Sequence, residues 1–113
     1  MTIYYRNGTV LTDQYASIEA AVRAGVNLSG ANLKGAELLS YADLTGANLW
    51  GANLTGADLT NADLWGATLT NANLTNADLA GAYLTDANLT NADLTNADLA
   101  GAVLYIGNRC ITL

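Results

Sequence analysis

Leucine recurs at a fixed spacing of five residues along most of the chain. The series is unbroken over thirteen positions from Leu44 to Leu104, and Leu28, Leu33 and Leu38 extend it towards the N-terminus. Alanine usually stands two residues before each leucine, with aspartate or asparagine between them. A threonine or small residue follows the leucine, and glycine or asparagine usually closes the unit. Most of the chain is therefore a run of short units with the same order of apolar and polar places.

A period of five matches neither the 3.6 residues of an α-helical turn nor the alternation of a flat strand. Each unit must therefore combine a short extended piece with a corner. The leucine and the alanine are expected to point inward, and the three other residues outward. Glycine and asparagine at the last place suit a tight turn, because they tolerate positive φ better than other residues do.

The units themselves carry a family resemblance. Residues 52–56, Ala-Asn-Leu-Thr-Gly, and residues 57–61, Ala-Asp-Leu-Thr-Asn, resemble the A(D/N)LXX motif of the pentapeptide-repeat family. The resemblance covers about residues 26–105. It implies an all-β solenoid, namely a right-handed quadrilateral β-helix in which four units make each coil. About four coils would follow, and a stack only about 20 Å tall at the usual strand spacing.

The first 25 residues do not follow the repeat and are predicted to form a cap over the first coil, whose core would otherwise be exposed. Residues 2–12 are typical of a β-hairpin. Asn7 and Gly8 form a dipeptide that supports the two positive φ angles of a type I′ turn. The cap is therefore expected to begin with a hairpin whose two strands are short.

A short amphipathic helix is predicted to complete this cap. Thr12 or Asp13 is expected to be its N-cap, and Gly25 its C′ residue, where a left-handed conformation favours glycine. Its apolar face comprises Tyr15, Ile18, Ala21 and Val22. The interpretation of residues 1–25 is thus a hairpin-plus-helix cap.

One step of the leucine series is irregular. Six residues instead of five separate Leu38 from Leu44, through Leu39-Ser40-Tyr41. One residue is therefore expected to bulge out so that the register recovers. A tolerated insertion beside the cap is the favoured explanation.

The C-terminal tail, residues 106–113, leaves the repeat but keeps the apolar side chains of Ile106, Ile111 and Leu113. Either the tail folds over the last coil, or the last coil stacks on a second molecule as a two-fold homodimer with the tail in the interface. The sequence leaves both open. It divides the chain into a cap, a solenoid over residues 26–105 and this tail.

The amino-acid composition limits the catalytic and metal-binding chemistry that the chain can perform. The chain has no histidine, proline or phenylalanine and a single cysteine, Cys110. The commonest general base and metal ligand is therefore missing, and no nucleophile–base pair or phosphate-binding loop is recognisable. We expect no enzymatic activity, no cofactor and no metal. The N-terminal residues lack the basic and apolar regions of a secretory signal, so a cytoplasmic location is expected.

Charge and hydrophobicity indicate the kind of partner. The formal net charge is −6, and eight of the ten acidic residues lie between positions 37 and 104, where there is no lysine or arginine. Such a surface repels nucleic acids and anionic lipids, and no apolar stretch approaches the length of a membrane span. We therefore expect a protein partner, with no direct nucleic-acid contact and no membrane contact.

Two groups of outward residues are candidates for binding. With four units per coil, Asp58, Asp78 and Asp98 form a column, which either bonds local backbone or presents an acidic surface. A calcium site is disfavoured, because single carboxylates spaced along a column do not form an oxygen cage. The large aromatic residues form either a hot-spot patch or scattered surface positions. These aromatic candidates are Trp50, Trp65, Tyr83 and Tyr105.

These observations favour a non-enzymatic solenoid that acts as a scaffold or protein-interaction module with an unknown partner. The family resemblance implies an alternative, because some members mimic DNA and bind DNA gyrase. The concentration of acidic residues on the outer surface fits that alternative. The small number of coils, and leucine instead of phenylalanine at the centre of each unit, argue against it. A third hypothesis is a stabilising attachment on a larger assembly, which would use the aromatic residues.

Overall fold

The computed structural model describes residues 2–5, 7–12, 16–36, 39–106 and 109–113. Its regular elements lie near the two ends of the chain, and the middle runs through turns and single β-bridges. The elements are β1 (Ile3–Tyr5), β2 (Val10–Thr12), α1 (Ile18–Arg23), β3 (Ala31–Asn32), β4 (Val103–Ile106) and β5 (Arg109–Thr112).

Parallel β-bridges from Asp43 onwards join residues that are twenty positions apart, whereas Asn32, before the irregular step, bridges Asn53 twenty-one positions later. We call each twenty-residue stretch a coil, and we call the wall that one column of bridges marks a side. Leucine N–H groups from Leu44 to Leu84 donate to a carbonyl of the next coil, with N···O distances of 2.7–2.9 Å. The four columns are Asp43–Asp63–Tyr83–Val103, Asn48–Thr68–Asn88, Asn53–Asn73–Asp93 and Asp58–Asp78–Asp98. Four columns per coil agree with four five-residue units.

Each unit turns a corner after its leucine. The Leu44 carbonyl accepts from the Ala47 N–H at 3.0 Å, and Gly46 between them has a φ of 68°. A positive φ at the third residue of a four-residue turn is the mark of a type II turn. Glycines and asparagines take this conformation along the repeat, as predicted, and Tyr41 and Asp86 take it with φ angles of 59° and 58°.

Leucine and alanine side chains form the core inside the stack. The described leucines of the repeat are at most 6% exposed from Leu28 to Leu84, and the alanines at most 4% from Ala42 to Ala82. Ile3 of β1 belongs to the same buried cluster, as do the two buried residues of α1. The apolar places of the repeat therefore point inward, as predicted.

The N-terminal hairpin forms, but its turn differs from the predicted one. β1 pairs with β2 on one edge and with β3 on the other, both antiparallel. Gly8 has a φ of 88°, but its N–H closes the turn, so Asn7 and Gly8 are not the central pair and the predicted type I′ turn is wrong. The Gly8 N–H donates to the Tyr5 carbonyl at 3.0 Å. Asn7 instead serves the turn through its side chain, whose Oδ1 accepts from the Thr9 N–H at 3.0 Å.

The helix begins later than predicted. Ser17 is the N-cap, and its hydroxyl oxygen accepts from the Ala20 N–H at 3.1 Å. Thr12 lies in β2, so it does not cap α1, while Asp13 and Tyr15 lie outside the described residues. The prediction placed the N-cap too early because threonine, aspartate and serine all favour this position, and only the packed structure selects one.

The helix ends as predicted. Gly25 has a φ of 78°, and its N–H donates to the Val22 carbonyl at 2.9 Å. The N–H of Val26 donates to the Ala21 carbonyl at 3.0 Å. These two bonds form a Schellman motif, which satisfies the last carbonyls of the helix.

The irregular step lies earlier than predicted. Leu39 is 1% exposed, its carbonyl accepts from the Ala42 N–H at 3.1 Å, and Tyr41 takes the last place of its unit. Leu39 and Leu44 are therefore five residues apart, and the predicted bulge between Leu38 and Leu44 is wrong. The extra residue falls before Leu39, where residues 37 and 38 lie outside the described part of the chain.

The tail returns along the last coil. β5 pairs antiparallel with β4, so that Leu104 faces Ile111. The Gly101 N–H donates to the Leu113 carbonyl at 2.7 Å, and the Leu113 N–H donates to the Ala102 carbonyl at 2.8 Å. β5 therefore lies one strand beyond the last coil, on the side that β4 occupies.

Candidate interaction surfaces

Three aspartates stand in one column on the outside of the stack. Asp58 bridges Asp78, and Asp78 bridges Asp98; we call these three residues the aspartate column. Oδ1 of each carboxylate accepts from the N–H two residues later, with distances of 3.0, 3.0 and 2.9 Å. The column forms as predicted, and one oxygen of each carboxylate is already bonded to the chain's own backbone.

Local hydrogen bonds favour the charged form of three carboxyl groups of the repeat, those of Asp43, Asp58 and Asp93. The Thr60 hydroxyl and, to a smaller extent, its N–H lower the pKa of Asp58 below its ordinary value. The same two groups of Thr95 lower the pKa of Asp93. The pKa of Asp43 is lowered in the same way by the threonine two residues later.

This side-chain bond is a general feature of the repeat. Asparagine accepts it as well as aspartate does, with distances of 2.9–3.2 Å among the described residues. Where this bond forms, it needs an Oδ1 but no negative charge. The residues that accept it are Asn27, Asn32, Asp43, Asn48, Asn53, Asp58, Asp63, Asn73, Asp78, Asn88, Asp93 and Asp98. Within the described ranges, no group of three or more acidic or cysteine side chains is arranged to hold a metal ion.

Three of the four aromatic candidates lie on one side of the stack. Tyr83 stands in the column between Asp63 and Val103. Trp65 follows this column two residues after Asp63, and Tyr105 holds the equivalent place two coils later. All three aromatic side chains are about half exposed. We call Trp65, Tyr83, Val103 and Tyr105 the aromatic side.

The fourth candidate stands apart from this group. Trp50 follows Asn48, which marks the next side of the stack, and its side chain is 49% exposed. The Trp50 carbonyl accepts from the Gly30 N–H at 2.8 Å, so its backbone belongs to the regular ladder. The structure therefore separates Trp50 from the aromatic side.

Sequence reasoning missed other exposed aromatic residues. Tyr41 is 75% exposed, and Tyr4 and Tyr5 of β1 are 44% and 43% exposed. The signal for Tyr41 was its place after Leu39 and before Ala42, which is the outward last place of a unit. It was overlooked because the irregular step was placed there.

The other surface features contain few chemically reactive groups. A pocket of about 400 Å³ is lined by Tyr5, Asn7, Thr9 and Gly30, and none of these is a strong acid, base or nucleophile at neutral pH. Cys110 is exposed and has no disulfide. None of the described helical residues forms a segment long and apolar enough to cross a membrane.

The columns, corners and leucine core define a class of protein, a solenoid built from stacked five-residue units. A family model for pentapeptide repeats matches residues 39–76 and 67–104, which together exceed half of the chain. The chain belongs to the pentapeptide-repeat family. Members of this family are generally structural or interaction modules.

Two solved structures of pentapeptide-repeat proteins are similar to the chain. One comes from the thylakoid lumen of Arabidopsis thaliana; it is 38% identical, has a TM-score of 0.75, and the match covers 82% of this chain and 63% of that one. The chain thus spans less than two thirds of that protein's length. The other comes from Nostoc; it is 40% identical, has a TM-score of 0.68, and the match covers 74% and 73% of the two chains. No curated protein matches the chain.

The predicted cytoplasmic location is wrong. A similar protein, 38% identical, comes from the thylakoid lumen, which points away from the cytoplasm. The prediction relied on the absence of a secretory signal. Targeting segments are removed from mature proteins, so the absence of one from a sequence says little about compartment.

Proposed function

We propose that the chain is a right-handed quadrilateral β-helix of about four coils, without enzymatic activity, that serves as a rigid scaffold and binds a protein partner through its wall. In this proposal residues 1–25 cap the first coil, residues 26–105 form the solenoid and residues 106–113 form the C-terminal tail. The observation that carries the binding role is the aromatic side, where three large rings are about half exposed.

Exposed aromatic rings are favoured contact points for a protein partner. Tryptophan and tyrosine supply much of the binding energy at interfaces, because they bury large areas with few rotatable bonds. Tyr83 takes a place that aspartate or asparagine holds in most other units, so the fold does not require a ring there. The three rings also share one rigid wall, which lowers the entropy lost on binding.

Charge indicates the partner's chemistry. Asp43 and Asp63 lie in the same column as Tyr83, and the aspartate column marks the adjacent side. A partner with apolar residues at the centre of its contact surface and lysine or arginine around them would complement this wall. Arginine would gain further from stacking on Trp65.

The test is differential capture from a lysate of the source organism. The immobilised chain is compared with a variant that carries Trp65→Ala, Tyr83→Ala and Tyr105→Ala. We expect a protein that binds the wild type to be lost with the variant, with an affinity loss of roughly 30-fold or more for a hot spot. The captured protein is then purified and titrated directly.

Trp50→Ala is the matched control, since it removes a ring of equal exposure from another side. A partner retained by Trp50→Ala and lost by the triple variant supports the aromatic side as the contact. If the captured proteins are the same for the wild type and the triple variant, this proposal fails. Circular dichroism of all variants checks that the fold is kept.

The aspartate column supports a second candidate, a DNA mimic that binds DNA gyrase. Local hydrogen bonds lower the pKa of Asp58, so its charge is retained at neutral pH. The longest dimension of the molecule is 40 Å, which limits the length of duplex that it could imitate. The shared use of aspartate and asparagine for local bonds makes this candidate weaker than the first.

A supercoiling assay separates the two candidates. If the chain mimics DNA, it inhibits or protects gyrase, and replacing Asp58, Asp78 and Asp98 by asparagine abolishes the effect. Asparagine keeps the Oδ1 acceptor, so the fold should survive the substitution. No effect of the wild-type chain on supercoiling would remove this candidate.

A further inference from the structure

Two rings of the aromatic side stand two coils apart. The Gly66 N–H donates to the Thr85 carbonyl at 2.9 Å, which places Thr85 one coil beyond Trp65. Tyr105 of β4 follows one coil further. Both rings are about half exposed, whereas the shorter Thr85 side chain between them is more buried. At about 4.8 Å between stacked strands, the two ring positions are about 9.6 Å apart along the stack.

The third ring lies at the level between these two. Tyr83 bridges Asp63 and Val103, two residues before Thr85, so it stands on the coil that separates Trp65 from Tyr105. Its side chain is 53% exposed. Thr85 therefore lies among three exposed rings that are held on one backbone ladder. This arrangement gives a narrow, rigid and apolar surface with a repeat of two coils.

The repeat of two coils can be compared with the repeats of the segments that could bind along it. One turn of a polyproline II helix has three residues and advances about 9.3 Å. Side chains on one face of an extended strand are about 6.7 Å apart, and residues seven apart in an α-helix are about 10.5 Å apart. The polyproline II repeat is within about 0.3 Å of two coils, so it fits the positions of Trp65 and Tyr105 most closely.

The N-terminal end of this surface is acidic. Asp43 and Asp63 precede Tyr83 in the column. Glu19 of α1 lies beside them, because its Oε2 accepts from the Asp43 N–H at 3.3 Å. Arg23 interacts electrostatically with Asp43, but three carboxylates exceed this one guanidinium. A segment that lies along the rings is therefore complementary when it is basic at this end.

Proline-rich segments combine the required repeat with a low cost of ordering. They are close to the polyproline II conformation before they bind, so they lose little conformational entropy. Their rings pack well in grooves that aromatic side chains line. The 113 residues of this chain include no proline, so a proline-rich segment on this surface has to belong to another protein.

We propose that the aromatic side binds a proline-rich segment of a partner protein, which runs along the stack as a polyproline II helix with its basic residues nearest Asp43. This proposal rests on the protein-binding function proposed above and adds the chemical class of the partner. Residues three apart in the segment contact Trp65 and Tyr105, and the residues between them lie against Tyr83. Arginine or lysine at the basic end of the segment pairs with Asp63.

Calorimetric titration with a synthetic peptide tests the proposal. The probe is acetyl-Arg-Arg-Ala-Pro-Pro-Ala-Pro-Pro-Ala-amide. The control peptide has alanine in place of every proline, which keeps the charge and removes the preformed polyproline II helix. We expect saturable binding of the probe, at least about fivefold tighter than that of the control peptide. Equal binding of the two peptides would overturn the proposal, because the surface would then not recognise the polyproline II conformation.

Tryptophan fluorescence locates the bound peptide, because Trp50 and Trp65 are the only tryptophans of the chain. Threonine occupies the equivalent places at Thr70 and Thr85, so Trp50→Thr and Trp65→Thr should both fold, which circular dichroism checks. The probe should bind Trp50→Thr as it binds the wild type, and should shift the emission of the remaining Trp65 to shorter wavelengths. It should bind Trp65→Thr at least about tenfold more weakly. Equal affinity for the two variants would contradict the proposed site.

A second pair of variants tests the basic end of the segment. Asp63→Asn removes a charge but keeps the Oδ1 that accepts from the Trp65 N–H. The affinity for the probe should fall about two- to fivefold at low salt, and the difference should disappear at several hundred millimolar salt. Asp93→Asn is the control, because Asp93 stands in the column on the opposite side of the stack. Equal effects of the two variants would overturn the proposed orientation of the segment.

Failure of this proposal can be distinguished from failure of the broader function. The triple variant of the aromatic side may no longer capture a protein that the wild type captures, while the probe shows no saturable binding at millimolar concentration. That result overturns the proline-rich class alone and points to an α-helix or a folded surface as the partner's contact. Unchanged capture together with no binding of the probe overturns both proposals.

Discussion

At the scale of the single residue, the last place of each unit is limited by what lies one coil away. Gly81 and Gly56 both occupy this place, with φ angles of 70° and 65°. A methyl group at Gly56 would meet open space, whereas one at Gly81 would overlap the side chain of Asn61. Positive φ is therefore a shared requirement, while the need for glycine in particular varies along the repeat.

We predict that Gly81→Ala destabilises the fold more than Gly56→Ala does. Each change should cost about 1–2 kcal/mol because alanine is strained at positive φ. Gly81→Ala should cost about 1 kcal/mol more, because Asn61 must leave its preferred rotamer. Urea unfolding measures both.

Asn61→Gly provides the control, because it removes the overlapping side chain and keeps a residue that accepts positive φ. In the Asn61→Gly background, Gly81→Ala and Gly56→Ala should lower the free energy of unfolding by the same amount. A persistent difference would show that Asn61 is not the cause.

At the scale of the element, each five-residue unit is held by one side-chain bond and one turn bond. The aspartate or asparagine Oδ1 accepts from the N–H two residues later, and the leucine carbonyl accepts from the next alanine N–H. For Asp58 and Asp93, a threonine hydroxyl adds to the bond and lowers the carboxyl pKa. A lowered folded-state pKa means that the charged form stabilises the fold at pH values above the unfolded-state pKa of about 3.9.

We predict that the chain loses stability as the pH falls below about 4, through the lowered pKa values of these carboxyl groups. The double variant Asp58→Asn and Asp93→Asn keeps both acceptors but cannot titrate, so its urea midpoint should fall less between pH 6 and pH 3. The comparison variant is Asp86→Asn, at a corner residue whose side chain has no hydrogen bond among the described residues. If the double variant and Asp86→Asn show the same pH dependence as the wild type, the local bonds do not couple to stability.

At the scale of the whole molecule, stability comes from contacts between coils. Leu59 lies between two coils and is fully buried, whereas Leu94 has a coil on only one side among the described residues and is partly buried. Contacts in a stack of repeats are made with the nearest neighbours. A leucine at the equivalent place of its unit therefore contributes less to stability at the C-terminal end of the stack.

We predict that Leu59→Ala costs about 2–5 kcal/mol, the usual range for a buried leucine, and that Leu94→Ala costs clearly less. Urea unfolding at low protein concentration measures both. Equal costs of the two substitutions would contradict the weaker packing of Leu94.

The sequence alone was sufficient for the parts of the fold that every unit repeats. The leucine and alanine places point inward, and the last place has positive φ. Local chemistry determines these features, because each unit faces the same restriction on φ and has the same two apolar side chains to bury. The makeup of the aspartate column was predicted from the four units per coil that the family resemblance implies.

Only the tertiary structure decided the features that depend on distant contacts. Leu38 and Leu39 are chemically equivalent, and the register of backbone bonds with the next coil selects Leu39 for the core, where Tyr41 N–H donates to the Thr60 carbonyl at 2.8 Å. The start of α1 likewise depends on which parts of the chain pack together. Local patterns repeat along a solenoid, whereas its ends and irregularities are set by neighbours that are far away in sequence.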